Sequence, residues 1–240
     1  MPVDLSIIVP VFNEEDNILA MTREIAKALP TMPSPYDLLF VDDASTDGTW
    51  ARIQEAHRID PRARGVRHET NRGQSAAVWT GIQSTQGSII ATLDGDLQND
   101  QADLPKLLAA LNHVDFVCGM RTNRQDNWVR RVSSDIARRA RRAALGADFR
   151  DTGCGFRVFR RSAIEGIFPF NGWHRFLPIL VQGSGVSTME TPVSHRPRVA
   201  GVSKYGVGDR LGRGILDLFG VAWYQKRRLR PVKISAFPKE

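Results

Sequence analysis

The sequence predicts an α/β fold, in which helices cover both faces of a mostly parallel sheet. Three observations predict it. Strand-like runs such as 5–12 and 37–43 have almost continuous apolar stretches at their centres, which is typical of strands buried on both faces. Helical patterns separate these runs, and such alternation favours parallel pairing. The runs end in polar residues, and ligands of parallel sheets bind beyond the carboxyl ends of the strands.

The first half of the chain alternates regularly between the two kinds of element. Strands are predicted over 5–12, 37–43, 65–69, 88–96 and 114–121, and helices over 18–29, 49–59, 74–85 and 102–112. The total of 240 residues suits one large domain of this class with a full hydrophobic core.

The second half is less regular. An Arg-rich helix is predicted from about residue 126, a glycine-hinged turn and a strand within 151–161, and a further strand within 186–197. A basic loop over 196–206 leads to an amphipathic helix over 209–224. Its apolar residues at helical spacing are Leu211, Ile215, Leu218, Phe219 and Ala222. We therefore predict a domain over 1–208, followed by a helix and basic tail over 209–240.

Composition and charge narrow the classes of protein to which this chain can belong. Cys118 and Cys154 form neither a metal-binding spacing nor a disulfide framework, which fits a reducing compartment. We expect neither a signal peptide nor a transmembrane helix. The net charge of +7 is concentrated, because residues 121–161 hold twelve Arg and no Lys against four Asp. This Arg block is either a solvated helix face or a contact for an anionic partner.

The sequence LDGDLQND places Asp94 and Asp96 at the end of a predicted buried strand. A calcium loop is excluded, because position six from Asp94 is Asn99 and position twelve is Pro105. An aspartyl-phosphate motif is weakly matched, since Gln98 occupies a position where Thr or Val is usual. A Mg²⁺ or Mn²⁺ site fits best, although a lone D-x-D is often only a turn.

A second acidic strand end strengthens the metal hypothesis. Asp42 and Asp43 end the run at 37–43, where a carboxylate can accept a hydrogen bond from a uracil or guanine ring. Ser45 or Thr46 is a candidate cap for the helix that follows, with Asp47 near its positive end. Gly73, within NRGQSAAVWTG, would let the backbone approach a nucleotide.

Taken together, IIVPVFNEEDNI, VDDASTDGT, NRGQSAAVWTG and TLDGDLQND closely resemble the family 2 glycosyltransferases with a GT-A fold. The resemblance implies a nucleotide-diphosphate sugar as donor and Mg²⁺ or Mn²⁺ as cofactor. It places Pro10, Phe12, Glu14, Asp43 and Gly73 at the nucleotide. It makes Asp94, Asp96 and Gln98 the metal ligands, of which the two carboxylates act in catalysis.

The second half is similar to the polyprenyl-phosphate branch of this family, through MRTNRQDNWVRR, DTGCGFRVFRR and HRPRVAGVSKYG. The basic residues that would engage the lipid phosphate and the donor diphosphate are Arg121, Arg130, Arg131, Arg198 and Lys204. Arg121 and Arg131 would also take part in catalysis, and the choice between Arg130 and Arg131 stays open. Asp151 is either a turn cap or a residue that orients an arginine or the sugar.

The resemblance implies metal-dependent, inverting sugar transfer to undecaprenyl or dolichyl phosphate by a cytoplasmic enzyme, peripheral at the inner face of the membrane. Trp223 and Tyr224, with the basic flank after them, favour an interfacial helix, although the helix can equally pack on its own domain. A separate membrane partner is also possible. Two alternatives remain: a soluble family 2 transferase that acts on a sugar or protein hydroxyl, and a non-catalytic binder of anionic lipid or nucleic acid.

Overall fold

A computed structural model of the chain describes residues 4–30, 36–122, 139, 142–197 and 207–228, with side chains of the last range described from residue 216. In these parts, seven strands form one sheet and helices cover both of its faces. The predicted fold class is confirmed.

The strands and helices are numbered in the order in which they occur along the chain. The strands are β1 Leu5–Val11, β2 Tyr36–Asp42, β3 Ala63–Arg67, β4 Ile89–Thr92, β5 Phe116–Arg121, β6 Arg157–Arg160 and β7 Thr188–Val193. The α-helices are α1 Ile18–Ala28, α2 Thr49–Ile59, α3 Gln74–Gln83, α4 Leu104–Ala110, α5 Trp173–Gly183 and α6 Val207–Arg227. Short 3-10 helices cover Gln101–Asp103 and Arg161–Ile164.

The sheet has the strand order β3-β2-β1-β4-β6-β5-β7. Strands β1 to β4 are parallel, and β7 is parallel to β5. Strand β6 is antiparallel to both of its neighbours, with Arg157 opposite Thr92 of β4 and Cys118 of β5. The turn that precedes β6 therefore lies at the edge where β1, β2 and β4 end.

The hydrophobic core lies in two layers, one on each face of the sheet. In β1, Ile7 and Val9 face the layer under α1, α2 and α4, whereas Ile8 faces the layer under α3 and α5. All three side chains are fully buried, which explains why successive positions of the strand are apolar.

Helix α5 was not predicted from the sequence, and its interior contains Pro178. Proline has no N–H, so it cannot donate to the carbonyl four residues earlier, which belongs to His174. The buried side chain of Arg157 supplies that missing donor through Nη1, at 2.6 Å. A contact from a distant strand thus satisfies a carbonyl that the local sequence leaves without a helical partner.

The predicted Arg-rich helix falls mostly outside the described residues, although 142–145 are helical. In α6, Phe219 of the predicted apolar row is 70% exposed, whereas Val221, which is not part of that row, is fully buried. The periodicity was compatible with either face because both carry apolar residues.

Candidate active site

Three loops meet at the carboxyl edge of β1, β2 and β4, and each contains a non-glycine residue with a left-handed backbone. These are Asn13 (φ 52°), Ala44 (φ 63°) and Leu97 (φ 57°). Such conformations cost of order 1–3 kcal/mol and concentrate at functional sites. Among the described residues, the positive-φ non-glycine positions all lie at this edge.

The loops after β1 and β2 are bonded to each other. The backbone N–H of Asn13 donates to Ser45 Oγ at 2.9 Å, and Asn13 Oδ1 accepts from the N–H of Thr46 at 2.8 Å. The N–H of Glu14 donates to Thr49 Oγ1 at 2.8 Å. The predicted cap by Ser45 or Thr46 is wrong: the N-cap of α2 is Gly48, and the polar groups of both residues bind Asn13 instead.

Among the predicted nucleotide residues, Pro10 lies within β1, and Phe12 and Glu14 lie in the loop after it. Both Phe12 and Glu14 are partly exposed at the edge where the strands end. The side chain of Glu14 accepts a hydrogen bond from Asn17 Nδ2 at 2.7 Å. The structure brings these residues to the same edge as Asp43 and Asp94.

Asp43 holds the loop that leads into α3. Its Oδ1 accepts from the N–H of Arg72 at 2.8 Å and contacts His68 Nδ1 at 2.7 Å, while its Oδ2 accepts from the N–H of Gly73 at 2.6 Å. Gly73 has φ 83° and is the N-cap of α3, so a glycine suits this position. Asp42, which is fully buried, accepts from the N–H of Ser45 and pairs with Arg67.

Asp94 lies between α3 and the turn before β6. Its Oδ1 accepts from Gln74 Nε2 at 2.9 Å. A Cβ on Gly155 would lie 2.3–2.5 Å from the carboxylate, so this close approach requires glycine. Burial and then the neighbouring Asp96 raise the pKa of Asp94, although the charges of Arg157 and Arg121 act in the opposite direction. The carboxylates are therefore close enough to repel, as in sites that bind a cation.

The donor set Asp94, Asp96 and Gln98 fits a hard divalent cation. Two carboxylates and an amide oxygen are ligands that Mg²⁺ and Mn²⁺ accept. In the described parts of the chain, no three His, Cys, Asp or Glu side chains converge, so further positions would fall to substrate phosphates and water.

The loop from Asp94 to Asp100 is held in place by residues on its outer side. Asn99 forms a β-bridge with His195, and the N–H of Arg196 donates to the carbonyl of Gln98 at 2.8 Å. Arg196 also pairs with Glu24 at 2.8 Å and with Asp100 at 2.6 Å. Asp100 caps the 3-10 helix as well, by accepting from the N–H of Ala102.

Arg121, at the end of β5, forms a two-pronged ion pair with Asp151. The Nε and Nη2 atoms of Arg121 lie 2.7 and 2.8 Å from the two carboxylate oxygens. Burial alone would lower the pKa of Arg121, but the hydrogen bond and charge of Asp151 outweigh it and raise that pKa. Glu190 accepts the N–H groups of Arg150 and Asp151. Of the two roles open for Asp151, the structure supports orientation of an arginine.

Sequence reasoning missed a group of residues behind this edge. Arg157 is buried and donates to the carbonyls of Thr152 and His174, and the hydroxyl of Ser75 lies 2.6 Å from His174 Nδ1. Burial lowers the pKa of His174 to about 3, so the imidazole is neutral at pH 7. The signal in the sequence was slight: a single arginine, Arg157, among the apolar residues of FRVF.

The thiols of Cys118 and Cys154 are unsuited to act as nucleophiles. Burial raises the pKa of Cys118 to about 11 and that of Cys154 to about 12, so both are protonated at neutral pH. Arg130, Arg131, Arg198 and Lys204 lie outside the described residues. Their predicted roles stay predictions.

Comparisons with known proteins point in one direction. The model of the family described as "Glycosyl transferase family 2" matches residues 6–168. A dodecaprenyl-phosphate galacturonate synthase of Rhizobium johnstonii is 36% identical over 95% of this chain and 69% of its own length. An undecaprenyl-phosphate 4-deoxy-4-formamido-L-arabinose transferase of Aeromonas hydrophila is 34% identical over 85% of this chain. The chain spans 63% of that relative.

Solved structures support the fold. A glucosyl-3-phosphoglycerate synthase from Mycobacterium tuberculosis, in complex with Mn²⁺, uridine diphosphate and phosphoglyceric acid, aligns with TM-score 0.69 and 19% identity, over 96% of this chain and 80% of that chain. A mannosyltransferase from Pyrobaculum calidifontis, in complex with GDP-Man and Mn²⁺, gives TM-score 0.65 and 17% identity, over 96% and 66%. At these identities the likeness concerns the fold alone, and it confirms the predicted GT-A fold.

Proposed function

The chain belongs to glycosyltransferase family 2, and on that premise we propose that it transfers a sugar from a nucleotide-diphosphate sugar to a polyprenyl phosphate. The observation that carries the proposal is the pairing of two kinds of group at one edge of the sheet. Asp94 and Asp96 lie at the end of β4, and Arg121, oriented by Asp151, lies at the end of β5. The similarity to two named polyprenyl-phosphate sugar transferases supports this reading.

The donor side is formed by the loops after β1, β2 and β4. We propose that Pro10, Phe12, Glu14, Asp43 and Gly73 bind the nucleotide, as the sequence motifs predict. Asp43 already receives three hydrogen-bonding contacts from its own chain. A carboxylate has about four lone-pair positions, so one remains for a base. Asp43 would mainly keep the loop before α3 in place, and Gly73 would allow close approach of the nucleotide.

Asp94, Asp96 and the Gln98 amide oxygen would hold Mg²⁺ or Mn²⁺, and a cation there neutralises charge on the leaving diphosphate. Gln74 would fix the orientation of the Asp94 carboxylate through its 2.9 Å hydrogen bond. The bond between Gln98 and the chain at Arg196 would keep the loop from opening. The protein thus supplies a rigid frame for the donor phosphates.

The acceptor side is formed by the end of β5 and the turn before β6. An oxygen of the lipid phosphate would attack the anomeric carbon, while the bond from that carbon to the nucleoside diphosphate breaks, with inversion. A phosphate is already ionised near pH 7, so the step needs orientation more than a base. The planar guanidinium of Arg121 suits that task, with Arg130, Arg131, Arg198 and Lys204 as further predicted contacts.

A hydroxyl acceptor is the alternative, and it would need a carboxylate as general base. Beside Arg121, the described structure places Asp151 and Glu190. Asp151 holds the guanidinium in two contacts, and Glu190 accepts two backbone N–H groups. Both carboxylates are therefore engaged, which favours an acceptor that is already ionised.

We further propose that the enzyme acts at the cytoplasmic face of the membrane, where a nucleotide sugar and a polyprenyl phosphate can meet. Each helix in the described ranges is too short or too polar to cross a bilayer. A peripheral contact is the corresponding proposal, directly or through a membrane partner.

The test is reconstitution. Purified protein, undecaprenyl phosphate, Mg²⁺ or Mn²⁺ and a panel of UDP- and GDP-sugars should yield a glycosylated lipid, detected by mass spectrometry. A parallel panel of sugar and peptide hydroxyl acceptors tests the alternative. Product only with hydroxyl acceptors would overturn the proposed acceptor, and no product or nucleotide binding under any condition would overturn the enzyme itself.

A further inference from the structure

Helix α6 packs on its own domain through one face. Val221 is fully buried, and Gln225 Nε2 donates to the carbonyl of Ile179 in α5 at 3.2 Å. Asp217 pairs with Arg175 at 2.7 Å, and the hydroxyl of Tyr224 accepts from the N–H of Phe168 at 3.1 Å. These contacts fix which side of the helix faces away from the protein.

That outward side is apolar. Leu216, Phe219 and Trp223 are 73%, 70% and 66% exposed, and their spacing of three and four residues puts them in one row. Phe168 is 73% exposed as well, and its backbone N–H donates to the hydroxyl of Tyr224. We call Leu216, Phe219 and Trp223 the outer face. A contiguous exposed patch of large apolar side chains marks an interaction surface more often than scattered ones do.

The next turn of the same row is basic. Lys226 and Arg227 follow Trp223 by three and four residues, and both are exposed. An apolar row that passes through a tryptophan into lysine and arginine is typical of helices that lie in the interface of an anionic bilayer. A second copy of the chain fits less well, because its apolar row would have to cover this basic turn or face the same charges.

From this geometry we propose that the outer face is the docking surface for an anionic lipid bilayer. The apolar side chains would enter the boundary between headgroups and acyl chains, while Lys226 and Arg227 would contact anionic headgroups. The helix therefore combines the two alternatives that the sequence leaves open: its inner face packs on the domain, and its outer face meets the membrane.

The part of α6 around Asp217, at the opposite end of the outer face from the basic turn, is connected to the candidate active site through a series of contacts. Asp94 binds Gln74, whose neighbour Ser75 accepts the N–H of Gly172 at 2.8 Å. A Cβ on Gly172 would lie 3.0 Å from the carboxylate of Asp217, which is adjacent to Leu216. These contacts connect the helix that carries the outer face with the helix that binds Asp94. This connection rests on the proposed function, because it matters only if the acceptor is a lipid.

The decisive experiment is flotation of the full chain with vesicles of phosphatidylcholine alone, and of equal parts phosphatidylcholine and phosphatidylglycerol. The double variant Phe219→Ser, Trp223→Ser should lower partitioning onto the mixed vesicles about tenfold or more. The variant Lys226→Gln, Arg227→Gln should lower it on mixed vesicles only. Ile59→Ser, which removes a 51% exposed side chain on α2, is the matched control and should bind as the wild type does.

Folding, self-association and catalysis are checked separately. Thermal unfolding should show that the serine variants are folded, since the replaced side chains are exposed. Turnover of a short, water-soluble prenyl phosphate should stay at the wild-type level in the double variant, while turnover of long-chain acceptor in vesicles falls. Loss of transfer in every protein would refute the proposed function while leaving the flotation result intact.

Two results would overturn the docking proposal. One is unchanged vesicle binding by the folded double variant. The other is a lipid-free dimer, seen by analytical ultracentrifugation, that the double variant converts to a monomer, because the outer face would then be an interface between copies.

Discussion

The donor and acceptor sides of the site are held by different kinds of bond. On the donor side, the Asp43 carboxylate binds backbone N–H groups of Arg72 and Gly73, and Asp42 binds that of Ser45. On the acceptor side, Arg121 is held by a charged side chain, Asp151, thirty residues away. The donor side is therefore held mainly through backbone N–H groups, whereas the acceptor side is held mainly through a pair of opposite charges.

This difference separates the expected effects of substitutions. A donor-side change at Asp96 should alter chemistry with little loss of stability, because the carboxylates of Asp42 and Asp43 still hold the backbone of the loops. An acceptor-side change should reduce stability as well, because it leaves a partly buried charge without its partner.

The largest expected effect is on catalysis, from Asp96→Asn. Loss of one charged metal ligand should lower turnover about a thousandfold. An asparagine oxygen can still accept from the N–H of Gln98, as Asp96 does at 3.2 Å, so the melting temperature should change little. Full activity would refute the metal assignment, and unfolding would refute the claim that this side is held by backbone.

Asp151→Asn tests the acceptor side, and the free energy of unfolding should fall by about 3 kcal/mol. The reason is that the buried part of the Arg121 guanidinium loses its counter-charge. Urea unfolding measures it. Asp60→Asn is a matched control, because Asp60 also holds an arginine, Arg62, by two contacts, but that arginine is more exposed. The loss should be smaller than that of Asp151→Asn, because Arg62 stays partly solvated, and equal losses would show that burial of the arginine does not set the effect.

The neutral His174 behind the site predicts a pH effect on stability. Its pKa is about 3 in the folded chain against an ordinary value of 6.5, so only the unfolded chain gains this proton between those values. Stability is therefore complete above pH 6.5 and declines as the pH falls toward 3. Between pH 7.5 and pH 5 the loss should be about 2 kcal/mol. In urea unfolding, the His174→Gln variant should not show this pH-dependent loss of the free energy of unfolding. Identical pH profiles of the wild type and the variant would contradict the prediction.

The smallest expected effect is that of Gln74→Met, which removes the N–H donor to Asp94 while keeping the side-chain length. Partners of a metal ligand typically change affinity by 10–100-fold, and we expect the lower end, about tenfold weaker Mn²⁺ binding. Isothermal titration calorimetry with Mn²⁺ alone measures it. Gln83→Met, exposed at the end of the same helix, is the control. Equal affinity in both variants would show that Gln74 does not orient Asp94.

Much of the donor side was predictable because its signals are local. The apolar runs at 5–12 and 37–43 correspond to β1 and β2, and the acidic residues after the strands do lie at one edge. Parallel pairing places those ends together without further information. The detailed partners were not predictable: Ser45 and Thr46 bind the loop at Asn13 rather than capping α2, because that loop offers competing groups.

The sequence by itself determined the α/β class, the parallel first half and the acidic strand ends, since each follows from periodicity and from residues close in the chain. Only the tertiary structure decided the direction of β6, the existence of α5 and the outward side of α6. The direction of β6 depends on its neighbours, and α5 depends on Arg157 to satisfy the carbonyl that Pro178 leaves open. In α6 both sides carry apolar residues, so packing against α5, rather than periodicity, selected Val221 for burial and left Phe219 and Trp223 exposed.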